Sequence, residues 1–129
     1  MANLEAVRDP QHTGGGCYSP AVHAGGLIYT AGMAPVDPET GELVLGTVTE
    51  QTHLVLKNLE RVLHAAGSDL EHVVKATVHL SRIGQDWHEF DAAYRQHFTG
   101  VLPARTTVGS TLNGFDVEID FVAVPADRD

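Results

Sequence analysis

The chain is short of positive charge. It has eight Lys and Arg residues against seventeen Asp and Glu, a net charge of −9 with histidines neutral. The eight cations are scattered, and a nucleic-acid binder needs them clustered to neutralise phosphates. No nucleic-acid partner is therefore expected, and an acidic membrane surface would repel the chain. No apolar run approaches the ~18 residues that span a bilayer. The first residues, Met1 to Ala6, show no basic region followed by an apolar one, so no signal peptide is read and a cytoplasmic location is expected. With one cysteine, Cys17, an internal disulfide is excluded. No activating base lies near Cys17 in the sequence, so a plain thiol is expected rather than a nucleophile. There is no G-x-S-x-G element, no P-loop and no dinucleotide fingerprint. Histidines are plentiful, at 12, 23, 53, 64, 72, 79, 88 and 97. None has a partner at metal-ligand spacing, so no metal is expected and the histidines read as solvated or capping groups.

What is present suits one α+β domain over residues 1–129, with 43% hydrophobic and 19% charged residues. Residues 1–7 read as a short strand, followed by a glycine-bearing loop from Asp9 to Gly16. Residues 21–24 and 27–31 around Gly25-Gly26 predict a hairpin. Turn residues fill 32–41. Thr47 and Glu50 form a capping-box signature that opens a helix to Ala66, with Gly67 just past its end. Ser68 to Glu71 predict a single turn. Val74, Ala76, Val78 and Leu80 alternate as the buried face of a strand. Asp86 reads as the N-cap of a second long helix reaching Gly100, whose stripe is Trp87, Phe90, Tyr94 and Phe98. Strands 105–111 and 115–124 flank Asn113-Gly114, a hairpin signal. Two helices cover one sheet face. The other face, with carboxylates, threonines and valines, is either solvated or an oligomer interface.

Candidate chemistry centres on Leu102-Pro103-Ala104-Arg105-Thr106-Thr107. Pro103 ends the preceding segment, and a β-branched run then places the Arg105 guanidinium at a strand mouth. Such a group grips a carboxylate through two parallel hydrogen bonds. The hairpin would bring Arg105 near Asp120. The pair reads either as an ordinary surface salt bridge, or as a site in which Arg105 holds a substrate carboxylate and Asp120 activates a water. Tyr18 supplies a phenol to such a pocket.

The chain also resembles a known family, the reactive intermediate deaminases (Rid, or YjgF/UK114). The resemblance runs from about Tyr18 to Val124. It rests on Tyr18-Ser19-Pro20-Ala21, on Tyr29 through Gly41, on Glu50-Gln51-Thr52 with Leu59 and Ala66-Gly67, on Val73 through Val78, and on Pro103-Ala104-Arg105-Thr106. It implies a chorismate-mutase-like fold, a mostly antiparallel sheet with two long helices on one face, assembled as a homotrimer with a central barrel and pockets between subunits. It implies cofactor-independent hydrolysis of 2-imino acids and their enamine tautomers to 2-keto acids and ammonia. Arg105 would bind the substrate carboxylate, with help from the Thr107 backbone N–H. Tyr18, Ala31 and Gly32 would line the pocket, and Asp120 would stand for the family's water-positioning glutamate. Asp91 stands where the family has asparagine, and Ala31 where many members have serine. Alternatives are a pathway-specific member acting on another enamine, such as an aminomuconate, and a non-catalytic small-carboxylate-binding trimer.

Overall fold

The computed structural model describes residues 3–12 and 16–126. Residues 1–2 of the expected first strand, and Gly14 and Gly15 of the glycine-rich loop, lie outside the described residues. Among the described residues six strands form one mixed sheet in the order β1-β2-β3-β6-β4-β5. They are β1 (Glu5–Val7), β2 (Ala21–Ala24), β3 (Leu27–Thr30), β4 (Val73–Leu80), β5 (Ala104–Gly109) and β6 (Val117–Ala123). Helices α1 (Val48–Ala65) and α2 (Ile83–Arg95) cover one face. Among the described residues no helix is long and apolar enough to cross a membrane.

Local chemistry explains several elements. At the β2–β3 turn Gly25 and Gly26 both have positive φ, 58° and 79°, which a two-residue type I′ hairpin requires. The Thr47 hydroxyl accepts from the Glu50 N–H at 3.1 Å, and the Glu50 carboxylate accepts from the Thr47 N–H at 2.8 Å. This reciprocal cap satisfies two orphan donors of α1. Val55, Leu56, Leu59, Val62 and Leu63 then bury completely against the sheet. Across β6, Val117, Ile119, Phe121 and Ala123 face the helices, and Glu118, Asp120 and Val122 face away.

Three expectations are corrected. The second long helix begins at Ile83 after Arg82 rather than at Asp86, and ends at Arg95. Asp86 is buried inside the first turn and caps nothing. In β4 a bulge between Val73 and Lys75 puts Val73 in the core and leaves Val74 exposed. The Asn113-Gly114 hairpin does not form. β5 pairs in parallel with β4, and β6 pairs with the opposite edge of β4. β4, α2 and β5 therefore make a crossover unit, the connection that parallel neighbours require. β4 has two edges to satisfy, and both closing strands bond to it rather than to each other. Gly114, with φ 90°, turns the chain within the longer connection between them.

Candidate active site

The new strand order separates two groups that the sequence placed side by side. One rung of the sheet runs Arg105–Ala76–Phe121, and the next runs Thr106–Thr77–Asp120. Neighbouring rungs face opposite sides. Arg105 thus lies on the helix-covered side and Asp120 on the open side, with β4 between their strands. They are not cross-strand neighbours, and neither the salt bridge nor the shared site expected of them exists within the chain.

Arg105 sits on the sheet edge under α2. Trp87, Asp91 and Tyr94 recur at i, i+4 and i+7 and so share one helix stripe. The Arg105 guanidinium lies 4.8 Å from the Tyr94 ring centroid, 5.4 Å from Phe90 and 5.8 Å from Trp87. These are cation–π distances. Its Nη2 donates to Asp91 Oδ1 at 2.9 Å, and Arg95 Nη2 reaches Asp91 Oδ2 at 3.0 Å. Burial would raise the Asp91 pKa, but hydrogen bonds from Arg105 and Arg95 outweigh it and hold the carboxyl below its usual range. Desolvation beneath the sheet edge pushes the Tyr94 phenol up to about 12, against the pull of the Arg105 cation. The Arg105 side chain is 18% exposed, so it is fixed yet not sealed from solvent. Thr107 follows two residues along on the same side. Trp87, expected in the core, is instead partly exposed at this edge.

The second group lines a cavity of about 470 Å³. Tyr18, Ala31, Gly32 and Glu118 line it from the sheet side, with Asn58 and Arg61 of α1 and the nearby His12. A bulge makes room for it. β3 leaves the ladder at Thr30, whose hydroxyl accepts from the Phe121 N–H at 2.9 Å. Pairing resumes where the Met33 N–H donates to the Ile119 carbonyl at 2.8 Å. Two residues, Ala31 and Gly32, then stand opposite one, Asp120. A Cβ on Gly32 would meet Glu118 Oε2 at 2.7 Å. Glycine is what lets this carboxylate lie against the backbone, so Gly32→Ala is expected to displace Glu118 with little change in Tm. A shift of about 1 Å in a reacting group costs up to about a hundredfold in rate, and parallel melting and steady-state kinetics check the prediction.

Asp120 does not line this cavity. Burial raises its pKa, and the nearby His79 and Lys75 pull it back. Glu118, two residues earlier on the same face, is the carboxylate in the cavity and was missed. The Glu-Ile-Asp alternation places both acids on the open face, and only the bulge decides which one the cavity receives. Tyr18 is half-exposed and stands edge-on to His12, with ring centroids 5.5 Å apart. Cys17 is a free, exposed thiol belonging to neither group.

The histidines are less isolated than expected. His53 Nδ1 and His97 Nε2 lie 2.7 Å apart, joining α1 to the segment just past α2. Burial first, and then the His53 charge, hold His97 below its usual pKa. Among the described residues no group of three or more His, Cys, Asp or Glu could hold a metal.

Residues 11–125 match the family model described as Endoribonuclease L-PSP. A RutC family protein of Pyrococcus abyssi is 39% identical over 109 residues, covering 84% of this chain and 85% of that one. A 2-iminobutanoate/2-iminopropanoate deaminase of Mus musculus is 41% identical over 111 residues, 84% of this chain and 82% of that one. The chain belongs to the Rid family. In three dimensions the Rid-family protein YyfA of Yersinia pestis superposes with a TM-score of 0.88 at 32% identity, covering 95% of this chain and 99% of that one. The mixed sheet with two helices is the Rid architecture. Within it, Arg105 and Thr107 mark one edge of the sheet, and Tyr18, Ala31, Gly32 and Glu118 mark the cavity. β4 separates the two groups, at a strand spacing of about 4.8 Å.

Proposed function

We propose that the protein is a cofactor-independent deaminase that hydrolyses 2-imino acids and their enamine tautomers to 2-keto acids and ammonia. The site lies between copies of the chain in a homotrimer. The observation that carries this reading is the splitting of the site. Arg105 is a carboxylate grip that does not line the cavity, and Glu118 is an acid within that cavity, on the other side of β4. A second copy supplies to each what it lacks. The sheet's open face, with half-exposed Tyr29 beside Val122 and Asp120, is mixed enough to be covered by further copies.

The chemistry follows from the groups. Arg105 and the Thr107 N–H hold the α-carboxylate of the iminium form. Glu118 accepts a proton from a water as the water oxygen attacks the C2 carbon, giving a tetrahedral aminol. Glu118 returns that proton to nitrogen, then accepts the hydroxyl proton as the C=O closes and the C–N bond breaks, and ammonia carries this last proton away as ammonium. Tyr18 shapes the mouth. These imines hydrolyse unaided, so modest acceleration suffices and no metal or nucleophile is required. The relatives named 2-iminobutanoate/2-iminopropanoate deaminase support the substrate class.

An amino-acid oxidase that generates the imine in situ, with semicarbazide competing for it, tests the reading. The protein is expected to lower the rate of semicarbazone formation. An unchanged rate, from protein that light scattering shows to be trimeric, would overturn it.

A further inference from the structure

The cavity reaches beyond what a three-carbon imino acid needs. Pockets of about 300–1,000 Å³ hold drug-sized ligands, and this one measures about 470 Å³. Glu118 and Gly32 occupy one wall. The wall formed with α1 carries Arg61, the only Lys or Arg lining the cavity among the described residues.

Arg61 is anchored on two sides. Its Nε donates to Asp9 Oδ2 at 2.8 Å, and its Nη1 donates to Asn58 Oδ1 at 2.9 Å. Asn58 Nδ2 in turn donates to the Val36 carbonyl at 2.8 Å. The Asp9 side chain is only 3% exposed, and its other oxygen accepts from the Gln11 N–H at 3.1 Å. The same turn closes with the His12 N–H donating to the Asp9 carbonyl at 3.0 Å. One ion pair therefore locks the guanidinium and hangs His12 over the cavity. These bonds leave the Nη2 edge of Arg61 for the cavity. His12 Nε2 is also buried there, with no hydrogen-bond partner among the described residues. A buried ring nitrogen without a partner is costly, and a ligand acceptor would satisfy it.

We propose that Arg61 and His12 form a distal subsite for a second acidic group, so that the preferred substrates are 2-imino acids carrying a side-chain carboxylate. The inference rests on the deaminase reading and adds its substrate class. The Nη2 of a guanidinium fixed in this way donates a charge-assisted hydrogen bond to a carboxylate oxygen, and the imidazole Nε2–H supplies one further donor. Arg105 keeps the α-carboxylate, which leaves the side-chain carboxylate for the distal wall.

The test compares kcat/KM for 2-iminoglutarate and 2-iminobutanoate, each generated by an oxidase from its amino acid, using the full-length protein. Two variants are used. His12→Phe keeps the aromatic edge against Tyr18 and removes the nitrogen. Asp9→Asn combined with Arg61→Gln removes the cation without stranding the buried carboxylate. The wild type is expected to favour the dicarboxylate at least tenfold, and each variant to lower that ratio at least tenfold. A destabilised fold would slow both substrates and leave the ratio alone. Calorimetry with 2-oxoglutarate and 2-oxobutanoate gives a second readout free of catalysis. Turnover of 2-iminobutanoate with no preference for the dicarboxylate, or with a ratio the variants leave unmoved, overturns the subsite and leaves the deaminase reading standing. Binding of 2-oxoglutarate that both variants weaken, with no acceleration of either imine, overturns the deaminase reading and upholds the subsite.

Discussion

Arg105→Ala is expected to lower kcat/KM for any 2-imino acid about a thousandfold, mainly through KM. A hydrogen bond to a charged group contributes about 1.5–3 kcal/mol, and a bidentate grip makes two. Each 1.36 kcal/mol is about tenfold, so a loss of about 4 kcal/mol gives the stated factor. The residue is fixed before substrate arrives, by Asp91 at 2.9 Å and by the aromatic rings of α2. Little ordering cost remains to be met on binding. The same Asp91 carboxylate competes with the substrate for the guanidinium. Asp91→Asn keeps a hydrogen-bond acceptor and removes that charge, so KM is expected to fall a few-fold with kcat unchanged. Steady-state kinetics on both variants, with light scattering to confirm assembly, would decide. A KM unmoved by Arg105→Ala would remove the guanidinium from the substrate site.

The second large effect separates two acids that stand two residues apart. Glu118→Gln preserves shape and removes the base, and is expected to lower kcat at least a hundredfold, toward the unassisted rate. General-base catalysis contributes typically about 10²–10⁴. Asp120→Asn is expected to leave kcat within about twofold and to raise Tm at neutral pH. The sign follows from its raised pKa. At neutral pH the folded state holds a half-buried carboxylate that it would rather hold as the acid. The stability tied to the protonated form is complete below the unfolded value of 3.8 and is lost as pH rises through the higher folded value. The asparagine variant does not titrate, so its Tm advantage is expected to shrink on acidification. The reverse pattern, with Asp120→Asn inactive and Glu118→Gln active, would move the base to Asp120.

The alternation of β6 made both carboxylates legible as one polar face but carried no information about the bulge at Ala31-Gly32. That bulge depends on where β3 leaves β6, nearly ninety residues along the chain. For this reason the sequence points to Asp120, whereas the structure puts Glu118 in the cavity. The distal wall escaped notice for a related one. Asp9, Asn58 and Arg61 form no short motif, and meet because the segment after β1 folds onto α1.

By itself the sequence determined whatever is decided within a few residues. The capping box opens α1, Gly25-Gly26 turns the first hairpin, alternation sets the two faces of β4 and β6, and Pro103 delivers Arg105 to a strand end. Each is local because backbone sterics and side-chain period act over one or two turns. Tertiary structure alone decided the partner of β5, the meeting of His53 with His97, and the cavity that received Glu118. Strand pairing is chosen by burying a shared face and satisfying both edges of β4, a condition on the whole sheet. The Asn113-Gly114 signal was locally sound, yet it yielded to the hydrogen bonds that β4 offered on either side.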